Sequence, residues 1–140
     1  RPLIPVSSLE AMAAAAFADV EPGAMEDGER ATVTCVLDAR RGEVFVAGYD
    51  RALVEVEPAR HLPVSELPGL AATTRRWCGS VALQHGLAVV SARDVEAGVI
   101  ARVAAQRAGV NADSVEPRYL RAPDAVPLAE QIPLVAKQKL

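Results

Sequence analysis

A chain of 140 residues is long enough to bury one real core, and 51% apolar against 24% charged residues excludes a disordered chain. A formal net charge of −3 excludes a global positive field for nucleic acid or anionic lipid. Twenty-seven alanines beside only 4% aromatic residues favour close helix packing and exclude a stacking platform for single-stranded nucleic acid.

In chain order, Ser7-Ser8-Leu9-Glu10 reads as a capping box, and the alanine-rich stretch from Leu9 to Ala18 predicts a helix. Glu21-Pro22-Gly23 ends it, and residues 25–30 form an acidic connection. Ala31 to Ala39 alternates, with Ala31, Val33, Cys35 and Leu37 on one face, which predicts a half-buried strand. Arg40-Arg41-Gly42 reads as a three-residue link with its glycine in the left-handed conformation. Glu43 to Tyr49 is the return strand, and Leu53 to Glu57 is a third strand stopped by Pro58, which completes an antiparallel meander.

Pro63 and Pro68 break the stretch from His61 to Thr74 and leave room for one short helix around Ser65 to Leu67. Short strands are expected at Trp77–Val81 and Leu87–Val90, with a helical turn between them. Ser91 is placed to cap the longest helix, Ala92 to Ala108, with Val95, Val99, Ile100 and Val103 as its buried stripe and Gly109 as its end. A turn at Asn111-Ala112-Asp113 leads to an extended Glu116–Arg121, and the proline-bearing tail follows from Pro123. The order of elements predicts an α/β fold of the ribonuclease H-like kind, an antiparallel trio joined to shorter parallel strands with flanking helices.

Several constellations could carry chemistry. Asp38 and Glu43 meet across the first hairpin, where paired carboxylates could hold a divalent metal for phosphodiester or nucleotide hydrolysis. In the plainer reading, Asp38 satisfies turn amides and Glu43 pairs with Arg40 or Arg41. Trp77-Cys78-Gly79-Ser80 offers a thiol that His61 or His85 would have to activate, while Cys35 lies mid-strand as an inert thiol. Cys35, His61, Cys78 and His85 lack zinc spacing, and the two cysteines point to a reducing cytoplasm. Gly79 is not followed by a phosphate-binding lysine, because Lys137 and Lys139 are the only lysines. The basic pairs Arg40-Arg41 and Arg75-Arg76 read as solvated turns.

Three segments carry a family resemblance. Ile4-Pro5-Val6-Ser7-Ser8-Leu9-Glu10-Ala11-Met12-Ala13, Leu37-Asp38-Ala39-Arg40-Arg41-Gly42-Glu43-Val44-Phe45 and Pro117-Arg118-Tyr119-Leu120-Arg121 resemble, in the same order, stretches of the bacterial TsaB proteins. Phe45 stands where tyrosine is common. The resemblance implies the carboxy-terminal half of an actin-like protein, with residues 1–20 as the linking helix, 21–122 as the subdomain and 123–140 as a loosely held tail. A chain opening at Arg1 agrees with such a fragment.

It further implies a non-catalytic, cytoplasmic scaffold for TsaD. With TsaE and ATP, that assembly makes threonylcarbamoyladenosine in tRNA. This fragment would itself bind no cofactor, metal or tRNA and would hold no catalytic residue. Asp38, Arg40, Gly42 and Glu43 would form a structural or interface hairpin. The competing readings are a small metal-dependent hydrolase using Asp38 and Glu43, and an association module covered by a second copy of itself.

Overall fold

The computed structural model describes residues 2–20, 31–74 and 76–122. Their architecture is mixed α/β. Strand β1 (Pro2–Leu3) precedes helix α1 (Ser8–Asp19), and the meander follows as β2 (Thr32–Arg40), β3 (Glu43–Asp50) and β4 (Glu55–Pro63). Next come a 3-10 turn and the short α2 (Leu67–Leu70), then β5 (Trp77–Cys78), α3 (Ser80–Gln84), β6 (Val89–Ser91), α4 (Ala97–Ala104) and β7 (Val110–Asn111). The five-stranded sheet has the order β4-β3-β2-β5-β6, antiparallel across the meander and parallel from β2 to β5 and β5 to β6. β1 and β7 form a separate antiparallel ribbon. The expected trio joined to short parallel strands is therefore present. The ends of α1's connection, residues 21–30, and the tail from Pro123 lie outside the described residues.

Alanine explains how α1 fits. Met12, Ala13 and Ala16 press on Val33, Cys35, Ala47 and Cys78 of the sheet, while Ala11 and Ala15 meet Val99 and Val103 of α4. A helix packed on two sides buries nearly its whole circumference, and small side chains let both neighbours approach. The opposite face of the sheet is also covered, with Val36, Val44, Val46 and Trp77 lying under Leu67 and Ala82. β2 is thus buried on both faces, which corrects the half-buried reading: Thr34 and Val36 are as enclosed as Val33 and Cys35.

Tertiary contacts moved several boundaries. Pro58 does not stop β4, because β4 is an edge strand and Pro58 lies where two of its residues oppose one of β3, between the Val46–Arg60 and Gly48–Glu57 pairs. A proline needs no ladder partner at such a bulge. His61 accordingly belongs to a strand rather than to a broken loop. β5 and β6 are shorter than expected.

Ser91 does not cap α4 but ends β6. Its Oγ donates to Asp19 Oδ2 (2.8 Å) and accepts the Arg93 amide (3.3 Å), while Asp94 Oδ1 accepts the Ser80 amide (3.1 Å). These bonds hold residues 91–94 out of the helix, so Val95 is left at the surface before α4 begins. α4 ends five residues before Gly109. That glycine packs against Pro2, where a Cβ would lie 2.6 Å from the Pro2 ring.

Candidate functional site

The first hairpin is tighter than its sequence suggested. Asp38 pairs with Val44 and Arg40 with Glu43, so the link is the two residues Arg41-Gly42, with a bulge at Ala39-Arg40. Gly42 takes the left-handed conformation as expected (φ +74°), but Arg40 (φ +67°) and Arg41 (φ +56°) take it too. Each costs a side-chain-bearing residue about 1 kcal/mol or more. Asp38 offsets part of this, since its Oδ1 accepts the Arg40 amide at 2.8 Å. The Gly42 carbonyl accepts the Val64 amide at 2.8 Å.

Glu43 reaches beyond the hairpin. Its carboxylate accepts from Arg121 (2.9 Å), whose guanidinium also donates to the Ala39 carbonyl (3.1 Å). Arg121 closes a segment, residues 116–121, that crosses the meander as a strap. Arg118 forms a fork-to-fork pair with Glu55 of β4 (2.7 and 2.8 Å), and His61 Nδ1 donates to the Leu120 carbonyl (2.6 Å). Arg118 holds the Glu55 carboxyl below its ordinary range, and the pair in turn raises the guanidinium. Tyr49, whose hydroxyl donates to Glu55 at 3.3 Å, is pushed up to about 12, chiefly by burial.

Between strap, sheet and the start of α1 lies a cleft of about 510 Å³. Pro5 and Val6 line one wall, Leu37 and Phe45 the floor, and Pro117 and Leu120 the roof. At the head of α1 the Glu10 carboxylate accepts the Ser7 amide (3.3 Å), and it also receives both guanidinium nitrogens of Arg107. Glu10 is only 8% exposed, so this charge-assisted contact ties the chain beyond α4 back to α1. The roles of Glu10, Glu55, Arg107, Arg118 and Arg121 were not legible as pairs, because 63 to 97 residues separate the partners.

The other candidates are dispersed. Asp38 pairs with Arg40 (3.4 Å) and Glu43 with Arg121, and among the described residues no three His, Cys, Asp or Glu side chains are grouped to hold a metal. Cys35 and Cys78 are opposite one another on β2 and β5, and both are fully buried. The Cys35 thiol is pushed far up, first by its hydrogen bond with Cys78 and then by burial, so nucleophilic thiolate is suppressed there.

His61 is committed to the strap and His85 ends α3. Gly79 adopts a glycine-only backbone (φ +115°, ψ 151°), and its missing Cβ would lie 2.2 Å from the Val36 carbonyl and 2.9 Å from Met12. That space belongs to the core and leaves no cradle for a phosphate. Arg76 contributes its carbonyl to the Thr34 amide (3.0 Å). Arg75, Lys137 and Lys139 lie outside the described residues.

No family model matches this chain, and no curated protein matches it. Among solved structures it is similar to an uncharacterized protein from Pseudomonas aeruginosa with similarity to peptidase YeaZ. The two share 22% identity with a TM-score of 0.58, over 86% of this chain and 60% of that one. The likeness is one of fold, and the chain spans about three fifths of that protein's length.

Proposed function

We propose that this chain is the carboxy-terminal α/β half of a TsaB-like accessory subunit, a non-catalytic partner of TsaD in threonylcarbamoyladenosine synthesis on tRNA. The observation that carries the reading is spatial. The three segments that resemble TsaB stretches are far apart in sequence, yet Pro5 and Val6, Leu37 and Phe45, and Pro117 and Leu120 line one cleft. Chance likenesses have no reason to meet, whereas segments kept for one architecture do. The fold likeness to a protein described as similar to YeaZ, another name for TsaB, supports a TsaB-like fold.

In this reading ATP and TsaE act in the assembled complex, the site of action is the cytoplasm, and the isolated half can self-associate. No helix among the described residues is long and apolar enough to cross a membrane. The test is co-purification with TsaD from the same organism, using this chain and a version extended upstream by an actin-like domain. Retention of TsaD by the extended version is the expected result. Failure of both to retain it, with both folded, overturns the reading.

A further inference from the structure

We propose that a cavity on the α2 face of the sheet is a site for a small zwitterion, an α-amino acid with an aliphatic side chain. The cavity measures about 390 Å³ and is lined by Glu57, Pro58, Arg60, Leu70, Thr73 and Thr74. Small-molecule sites usually span about 300–1,000 Å³. Strict alternation along β4 would send Glu57 and Arg60, three residues apart, to opposite faces. The bulge at Pro58 cancels that alternation. Arg60 pairs with Val46 and Glu57 with Gly48, two positions on the same face of β3, and Val46 packs on the side covered by Leu67. A Cβ at Gly48 would lie 2.8 Å from the Glu57 Cβ and 3.1 Å from its Cδ, so the bare glycine lets the stem of Glu57 lie against the sheet.

Both charges are uncommitted. Among the described residues, neither the Glu57 carboxylate nor the Arg60 guanidinium has a hydrogen bond or an ion pair, with each other or with another group. Their strand positions are roughly 7 Å apart, so the two stand across a gap. A ligand with an ammonium and a carboxylate on one carbon can satisfy both, its carboxylate in the fork of Arg60 and its ammonium on Glu57. Thr73 donates its hydroxyl to the Leu70 carbonyl (3.2 Å), which leaves its oxygen lone pairs to accept from an ammonium. Pro58 and Leu70 supply the apolar contact that an aliphatic side chain needs. A simple anion would meet Glu57, and a simple cation Arg60, as an unpaired like charge. Both side chains are reachable from solvent. The cavity lies on the sheet face opposite the strap and its cleft, and nothing in it depends on a partnership with TsaD.

The test titrates L-leucine into the ¹⁵N-labelled chain, with 4-methylpentanoate, which lacks the ammonium, and 3-methylbutylamine, which lacks the carboxylate, in parallel. Saturable shifts at the amides of Glu57, Arg60, Thr73 and Thr74 are expected with leucine. Each analogue should bind about tenfold more weakly, since it gives up one charge-assisted contact. Glu57→Gln should weaken leucine by a similar factor without weakening 4-methylpentanoate, and Arg60→Gln should weaken leucine without weakening 3-methylbutylamine. That crossed pattern is one that a purely structural role for either residue would not produce, and the two exposed positions give independent variants should one fail to fold. No saturable response to leucine, an analogue that binds as tightly as leucine, or unchanged leucine binding by the folded variants would each overturn the proposal.

Discussion

At the scale of single residues, two glycines with positive φ illustrate different constraints. Gly42 has open space where a Cβ would go, so only the backbone preference constrains it. Gly79 is constrained twice, by a glycine-only conformation and by the Val36 carbonyl pressed against its Cα. Gly42→Ala is expected to cost about 1 kcal/mol and Gly79→Ala about 3 kcal/mol or more. Thermal denaturation of the two variants checks the order, and equal losses would contradict the close approach. Gly42 was recognisable from its place after two strand-like runs. Gly79 was not, because its partners Val36 and Met12 are distant in sequence.

At the scale of elements, the strap shows how ion pairs can position a segment that has no regular structure. Residues 116–121 contribute few buried side chains, and Tyr119 is 82% exposed, so polar contacts to Glu55, His61, Ala39 and Glu43 hold the segment down. The Glu55 carboxyl is lowered from its ordinary value of 4.5, first by Arg118. A carboxylate whose folded value lies below its unfolded value contributes stability above the unfolded value and loses it as pH falls through the folded one. Strap amides should therefore lose hydrogen-exchange protection below pH 4.5, and Glu55→Gln should remove that acid dependence.

Arg118 is more than half exposed, so the global loss in the variant should stay near 1 kcal/mol or less after solvent screening. Strap protection that tracks only global unfolding would contradict this account. Element types were largely legible here, but element ends were not. Period-2 alternation marked the meander, whereas Ser91 and Asp94 were drawn out of the helix by Asp19 and Ser80.

At the scale of the molecule, the core lies on both faces of one sheet, with α1 clasped between sheet and α4. Cys35 and Cys78 are at the centre of the α1 side with no exposed surface, and thiolate formation at Cys35 is opposed first by its hydrogen bond with Cys78 and then by burial. In the native protein both thiols should resist a disulfide reagent such as DTNB at neutral pH, and their modification should follow the global unfolding rate. Rapid labelling of a folded sample would show that the α1 layer opens on its own. The same enclosure accounts for why Cys78-Gly79-Ser80, a plausible nucleophile in the sequence, occupies a structural position.

The residues alone determined a single α/β unit, the meander with its left-handed glycine, an alanine helix suited to close packing, and the absence of a strong positive field. Those properties are local or compositional: side-chain period, turn chemistry, propensity and summed charge require no knowledge of distant partners. Only the tertiary structure decided that β2 is covered on both faces, that β4 runs on through Pro58, that α4 is short, and that Glu43 reaches Arg121. Each of these depends on contacts between residues far apart in the chain, whose bonds outweigh local preference. The 140 residues therefore announced one domain, and the folded chain turned three scattered segments into the walls of a single cleft.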